Sequence, residues 1–155
     1  MGSGLRIVVL VGLVALLAVG AASAATPAAY RAHVNGICRG YTPTVKKLET
    51  AMTQAAAKKD YRSYGIALGE LLILDLTQDG RVEAVAVPPA LQAQMAPVLA
   101  RLKKVDAHAR LALVAARQGN ATAMGAELTT IATLAKPLNA ALDKAGLRDC
   151  GSNQT

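Results

Sequence analysis

The chain has 155 residues, a formal net charge of +7 and four aromatic side chains, all of them tyrosine. This length fits a single domain. Basic residues form no run longer than a pair, and no Phe or Trp offers a platform for stacking bases, so we expect no nucleic-acid partner.

The first 24 residues have the order of a secretory signal peptide. Arg6 is the only charge before an apolar run over 7–19, and small residues follow it. The run of about thirteen residues is shorter than the roughly 20 that a membrane-spanning helix needs. We therefore expect cleavage after Ala24, a secreted or periplasmic location, no stable transmembrane segment afterwards, and one helical domain over 25–155.

Two cysteines, Cys38 and Cys150, lie near opposite ends of that domain. Cysteines of a small exported protein usually pair, and these two have no other partner in the chain. We expect a single disulfide that links the first helix to the C-terminal tail.

The first half of the domain predicts two helices, over about 28–58 and 60–83. Apolar residues recur at helical spacing on both sides of an interruption at Thr42-Pro43, which predicts a kinked or broken first helix. Asp60 is a capping residue for the second helix. The apolar segment 71–74 indicates a helix near the centre of a bundle.

The second half predicts two more helices, over about 89–118 and 121–145. Apolar residues alternate at steps of three and four along both, Gly119 and Asn120 separate them, and Gly146 ends the last. Pro137 inside the fourth pattern predicts a kink or curvature. Four helices with short connections favour an antiparallel up-down-up-down four-helix bundle of the all-α class.

Asp75 is the strongest candidate for a functional polar group. It follows Leu71 by four residues, on the apolar stripe of the second helix, and a buried carboxyl group needs a partner or a raised pKa. It is either a ligand-binding or acid–base group or a structural group. A structural Asp75 is paired with a basic residue such as Arg39, or it lies at a flanking position while Leu74 occupies the core. We expect no other carboxylate on an apolar stripe.

The two histidines, His33 and His108, complete the set of candidate ligand-binding or buried polar residues with Asp75 and Arg39. No spacing typical of a metal or covalent haem site accompanies them, and His108 is in line with Arg101 and Lys104. No nucleophile is paired with a base by spacing. We therefore expect no metal, no cofactor and no catalytic residue.

These observations favour a non-enzymatic exported protein that binds an anionic envelope component or a protein partner. Removal of the leader leaves 16 basic and 10 acidic residues, with no acid before Glu49. One alternative is a carrier of an apolar ligand or haem in the bundle core, near Asp75, His33 and the methionines. Another is a secreted enzyme that acts on a small anionic substrate, with candidate residues Arg31, Arg39, Arg101 and Lys104.

Overall fold

The computed structural model describes residues 26–152, and the predicted signal peptide lies outside them. Four α-helices fill the described part, and it contains no strand, which confirms the predicted all-α four-helix fold. The helices are α1 (Pro27–Ala57), α2 (Tyr61–Glu83), α3 (Gln92–Arg117, after a 3-10 turn at Pro89–Leu91) and α4 (Ala121–Lys144). None of these helices is long and apolar enough to cross a membrane.

Side-chain caps fix where the helices begin. The carboxylate of Asp60 accepts a hydrogen bond from the backbone N–H of Ser63 at 3.0 Å, and the side-chain oxygen of Asn120 accepts one from Ala123 at 3.0 Å. Each cap satisfies an N–H group that has no partner inside its helix. Both predicted caps are thus confirmed. Gly146 follows α4 with φ of 81°, a left-handed conformation that favours glycine.

The first helix is continuous, so the alternative of a helix broken at Pro43 was wrong. Pro43 lies inside α1, and the Thr42 hydroxyl donates to the Cys38 carbonyl at 3.3 Å instead of capping a second helix. Proline removes one backbone donor. Buried side chains on both sides of it, Val34 and Val45, hold the two halves of the helix against the rest of the protein.

The second helix has one buried face, so its predicted central position was wrong. Leu72 is 6% exposed, whereas its neighbour Ile73 is 52% exposed. The cause is the arrangement of the helices in two hairpins. The α1 helix packs along α2, α3 packs along α4, and α2 contacts α3 less extensively.

Two apolar cores form between the helices. The larger one draws on all four helices and the C-terminal residues, with Tyr30, Val34, Met95 and Leu147 almost fully buried. The smaller one joins α2 to α3 around Leu72 and Ala112. Burial of apolar area at about 25 cal/mol per Å² makes these cores the main stabilising contribution.

The predicted disulfide is present, and it ties α1 to the segment 145–152 after α4. Cys38 and Cys150 are both buried, with their Cα atoms 5.1 Å apart. Hydrogen bonds reinforce the link: Arg31 Nε donates to the Ala145 carbonyl at 2.7 Å, and Asn35 Nδ2 donates to the Gly146 carbonyl at 2.9 Å. The two ends of the domain are therefore joined by both covalent and polar contacts.

Candidate functional site

A cavity of about 220 Å³ lies between the two hairpins. All four helices and the segment after α4 contribute to its walls, which are mostly apolar. The polar groups along it are Glu49 of α1, Asp75, Gln78 and Asp79 of α2, and Asn139 of α4. The cavity is smaller than the roughly 300–1,000 Å³ typical of ligand pockets.

A hydrogen-bonded pair of carboxyl groups lies in the interior beside this cavity. Asp79 of α2 and Asp106 of α3 share a side-chain hydrogen bond, and Asp106 is 9% exposed. Ionised carboxylates are acceptors only, so this bond requires a proton on one of the two groups. The bond raises the pKa of Asp79 and lowers that of Asp106.

Burial is the main cause of the altered acidity of these groups. Loss of solvation raises the pKa of Asp79 well above its usual range, and the hydrogen bond and charge of Asp106 add to the effect. Loss of solvation also raises the pKa of Asp106, against the opposing influence of its bond to Asp79 and of the Arg110 guanidinium. The pair thus retains a proton at pH values where exposed aspartates are ionised.

Asp75, the candidate that the sequence identified, lies on the wall of this cavity. Burial raises its pKa to about 6, with contributions from the charges of Glu49 and Asp106. Arg39 is not its partner, because Arg39 Nη1 forms an ion pair with Asp149 Oδ2 at 2.5 Å. Arg39, which the sequence offered as one example of a partner for Asp75, thus pairs with the C-terminal segment instead.

The remaining sequence candidates lie apart from the cavity. His33 is exposed on α1, and His108 Nδ1 is 2.6 Å from Glu127 Oε2. Arg101 and Lys104 face solvent, while Arg31 binds the end of α4. In residues 26–152 no group of three or more His, Cys, Asp or Glu side chains is arranged to hold a metal ion.

Sequence reasoning missed Asp79, Asp106 and Gln78. Asp79 follows Asp75 by one helical turn, and Asp106 follows the buried Leu102 by the same spacing. The expectation that Asp75 alone lies on an apolar stripe was therefore wrong. The spacing of both residues was a readable signal, but their bond connects two helices and no local pattern shows that.

Charged side chains are segregated between the interior and the surface. Of the 16 basic residues in the described part, 15 are exposed, whereas 3 of its 10 acidic residues are. The half-buried or buried acids include Asp75, Asp79 and Asp106 at or beside the cavity. They also include Glu83, whose Oε1 is buried without a hydrogen-bond partner. Exposed basic side chains thus outnumber exposed acidic ones by 15 to 3 in residues 26–152.

A second concave region, the α3–α4 groove, lies on the surface and has a volume of about 540 Å³. Its lining combines apolar and basic side chains with no acid: Gln94, Pro97, Val98, Arg101, Pro137, Ala140, Ala141 and Lys144. Arg101 Nη1 donates to the Pro137 carbonyl at 3.2 Å, across the two helices. Each helix thus contributes a proline and a cation to the groove.

Comparison of the chain with protein-family models, with curated protein sequences and with solved structures finds no significant match.

Proposed function

We propose that the chain is an exported, non-enzymatic protein that binds anionic phospholipid surfaces of the cell envelope. The observation that carries this proposal is the segregation of charge, with 15 of 16 basic side chains exposed but only 3 of 10 acidic side chains exposed in the described part. Such a surface attracts anionic partners by its summed field. The disulfide agrees with a location outside the reducing cytosol, where such bonds persist.

The α3–α4 groove supports a lipid as the partner. Its apolar walls at Pro97, Pro137 and Ala141 suit an acyl chain, while Arg101 and Lys144 suit a phosphate. A soluble polyanion would need the cations alone and would leave these apolar walls unused. The groove therefore favours an anionic amphiphile over a purely ionic partner.

The test is binding to vesicles of phosphatidylglycerol compared with vesicles of phosphatidylcholine. We expect binding to the anionic vesicles only, and weaker binding at high ionic strength because salt screens exposed charges. The double variant Arg101→Gln/Lys144→Gln should bind roughly 30-fold more weakly, since each cation near an anionic membrane contributes about 1 kcal/mol.

The matched control is Lys46→Gln/Lys47→Gln, which removes two exposed cations of α1 and leaves the groove intact. A smaller loss in this control supports the groove as the contact, whereas an equal loss would show that total charge decides binding. Equal binding to both vesicle types would contradict the proposal. If the protein bound a soluble polyanion more tightly than it bound vesicles, the lipid would not be its partner, and another anionic envelope component would take that place in the proposal.

A further inference from the structure

The two hairpins are joined unequally along their two sides. On one side the disulfide and the hydrogen bonds of Arg31 and Asn35 fasten α1 to the segment after α4. On the other side α2 and α3 pack against each other less extensively than the helices do within each hairpin. We call this second contact the α2–α3 seam. Because the disulfide holds the first side covalently, separation of the hairpins would begin at the seam, where the apolar contact around Leu72 and Ala112 would have to open.

The hydrogen bond between Asp79 and Asp106 crosses the seam, because the first residue belongs to α2 and the second to α3. This bond exists only while one of the two groups carries a proton. Loss of that proton places two negative charges at close range in a poorly solvated interior, where repulsion is much stronger than in water. Ionisation therefore converts an attraction across the seam into a repulsion.

The surroundings of the pair offer little compensation for a second negative charge. The ionisable or polar groups that face the pair or line the cavity beside it are Glu49 of α1, Asp75, Gln78 and Glu83 of α2, Arg110 of α3 and Asn139 of α4. Arg110 is exposed, and its guanidinium favours the ionised form of Asp106. Asp143 of α4 is engaged elsewhere, as acceptor for the Ser152 N–H at 3.1 Å.

We propose that the α2–α3 seam is a pH-operated latch, closed while Asp79 and Asp106 share a proton and open once both are ionised, with the Cys38–Cys150 disulfide as the hinge. Opening exposes the apolar walls of the cavity, including Leu71, Val105 and Ile131. The protein thereby presents an apolar surface at high pH that it conceals at low pH.

The direction of the pH response follows from the acidity of the buried groups. Their pKa values are raised in the folded protein, so the closed form holds protons that the open form releases. Closure is complete below the usual pKa of aspartate. It weakens as pH rises through the pKa of Asp75, about 6, and further as Asp79 ionises.

The test compares the oxidised protein at about pH 5 and about pH 10.5, the latter above the value of about 9 to which burial raises the pKa of Asp79. Small-angle X-ray scattering and fluorescence of an apolar dye report opening, and far-ultraviolet circular dichroism monitors the helices. We expect a larger radius of gyration and a several-fold rise in dye fluorescence at the higher pH, with unchanged helix content. No change between the two pH values would overturn the latch. Loss of the helices together with the change in dimensions would also overturn it, because that result is global unfolding.

Two variants test whether Asp79 and Asp106 are the residues that control opening of the seam. In Asp79→Asn the amide can donate the same bond to Asp106 without titrating, so this variant should remain closed at both pH values. In Arg110→Gln the removal of an exposed cation should shift the midpoint of opening to higher pH. The control Glu70→Gln changes an exposed acid of α2 and should behave like the unmodified protein. Opening of Asp79→Asn at the usual midpoint, or a downward shift in Arg110→Gln, would contradict the proposed residues.

Discussion

Removal of the disulfide by Cys38→Ala with Cys150→Ala is expected to lower the free energy of unfolding by about 2–5 kcal/mol. The bond joins residues 112 positions apart, and closure of so long a loop restricts the unfolded chain by about 5 kcal/mol in the chain-entropy model. Both cysteines are buried, so their replacement also removes packing. Urea denaturation followed by circular dichroism measures the change.

Reduction provides the matched control for this prediction. A thiol reductant should lower the denaturation midpoint of the unmodified protein and leave the double alanine variant unchanged. A change this large matters, because domains of this size are stable by about 5–15 kcal/mol in total. If the reductant left the denaturation midpoint of the unmodified protein unchanged, the disulfide would contribute nothing to stability.

The free energy of unfolding is expected to decrease as pH rises from about 4 to about 8, the reverse of ordinary acid denaturation. Asp75 and Asp79 have raised pKa values in the folded protein, because burial disfavours their ionised forms. Below the pKa that such a group has in the unfolded chain, the group is protonated in both states and its full contribution to stability is present. That contribution is lost as pH rises towards the higher pKa that the group has in the folded protein. For Asp75 the pH range in which stability falls extends from its ordinary pKa of 3.8 to its pKa of about 6 in the folded protein.

Replacement of a buried aspartate by asparagine, a neutral side chain of the same shape, should remove this loss of stability at high pH. Asp75→Asn is expected to raise the free energy of unfolding by up to about 3 kcal/mol above pH 7 and to change it little near pH 4. Glu70→Gln, at an exposed position of the same helix, should leave the pH dependence unaltered. Denaturant titrations at a series of pH values measure both variants, and equal effects at low and high pH would refute the role of burial.

Much of the fold was predictable because its determinants are local. Asp60 and Asn120 cap helices through bonds to residues three positions away, and apolar spacing marks the faces that pack. Pairing of Cys38 with Cys150 followed from the number of cysteines. Pro43 suggested a break in the first helix that is not there. The effect of a proline on a helix depends on how the two halves pack, and the sequence does not display that packing.

The candidate site was predictable only in part. Asp75 stood out because a charge interrupts an apolar stripe, whereas Asp79 and Asp106 escaped notice because their significance arises from a bond between different helices. The partner of Arg39 was likewise a residue of the C-terminal segment, 110 positions away. Contacts of this range depend on how the hairpins meet, and periodicity within one helix carries no information about that.

The most direct test of the protonated interior is a titration of the aspartate side-chain carboxyl carbons by nuclear magnetic resonance. Asp75 should titrate near pH 6, and Asp79 above its usual range, whereas the capping carboxylate of Asp60 should titrate below its ordinary value because Ser63 donates hydrogen bonds to it. If Asp75 and Asp79 both titrated together with the exposed acids near pH 4, the carboxyl groups would not be buried between the hairpins, and the α2–α3 seam would hold no shared proton.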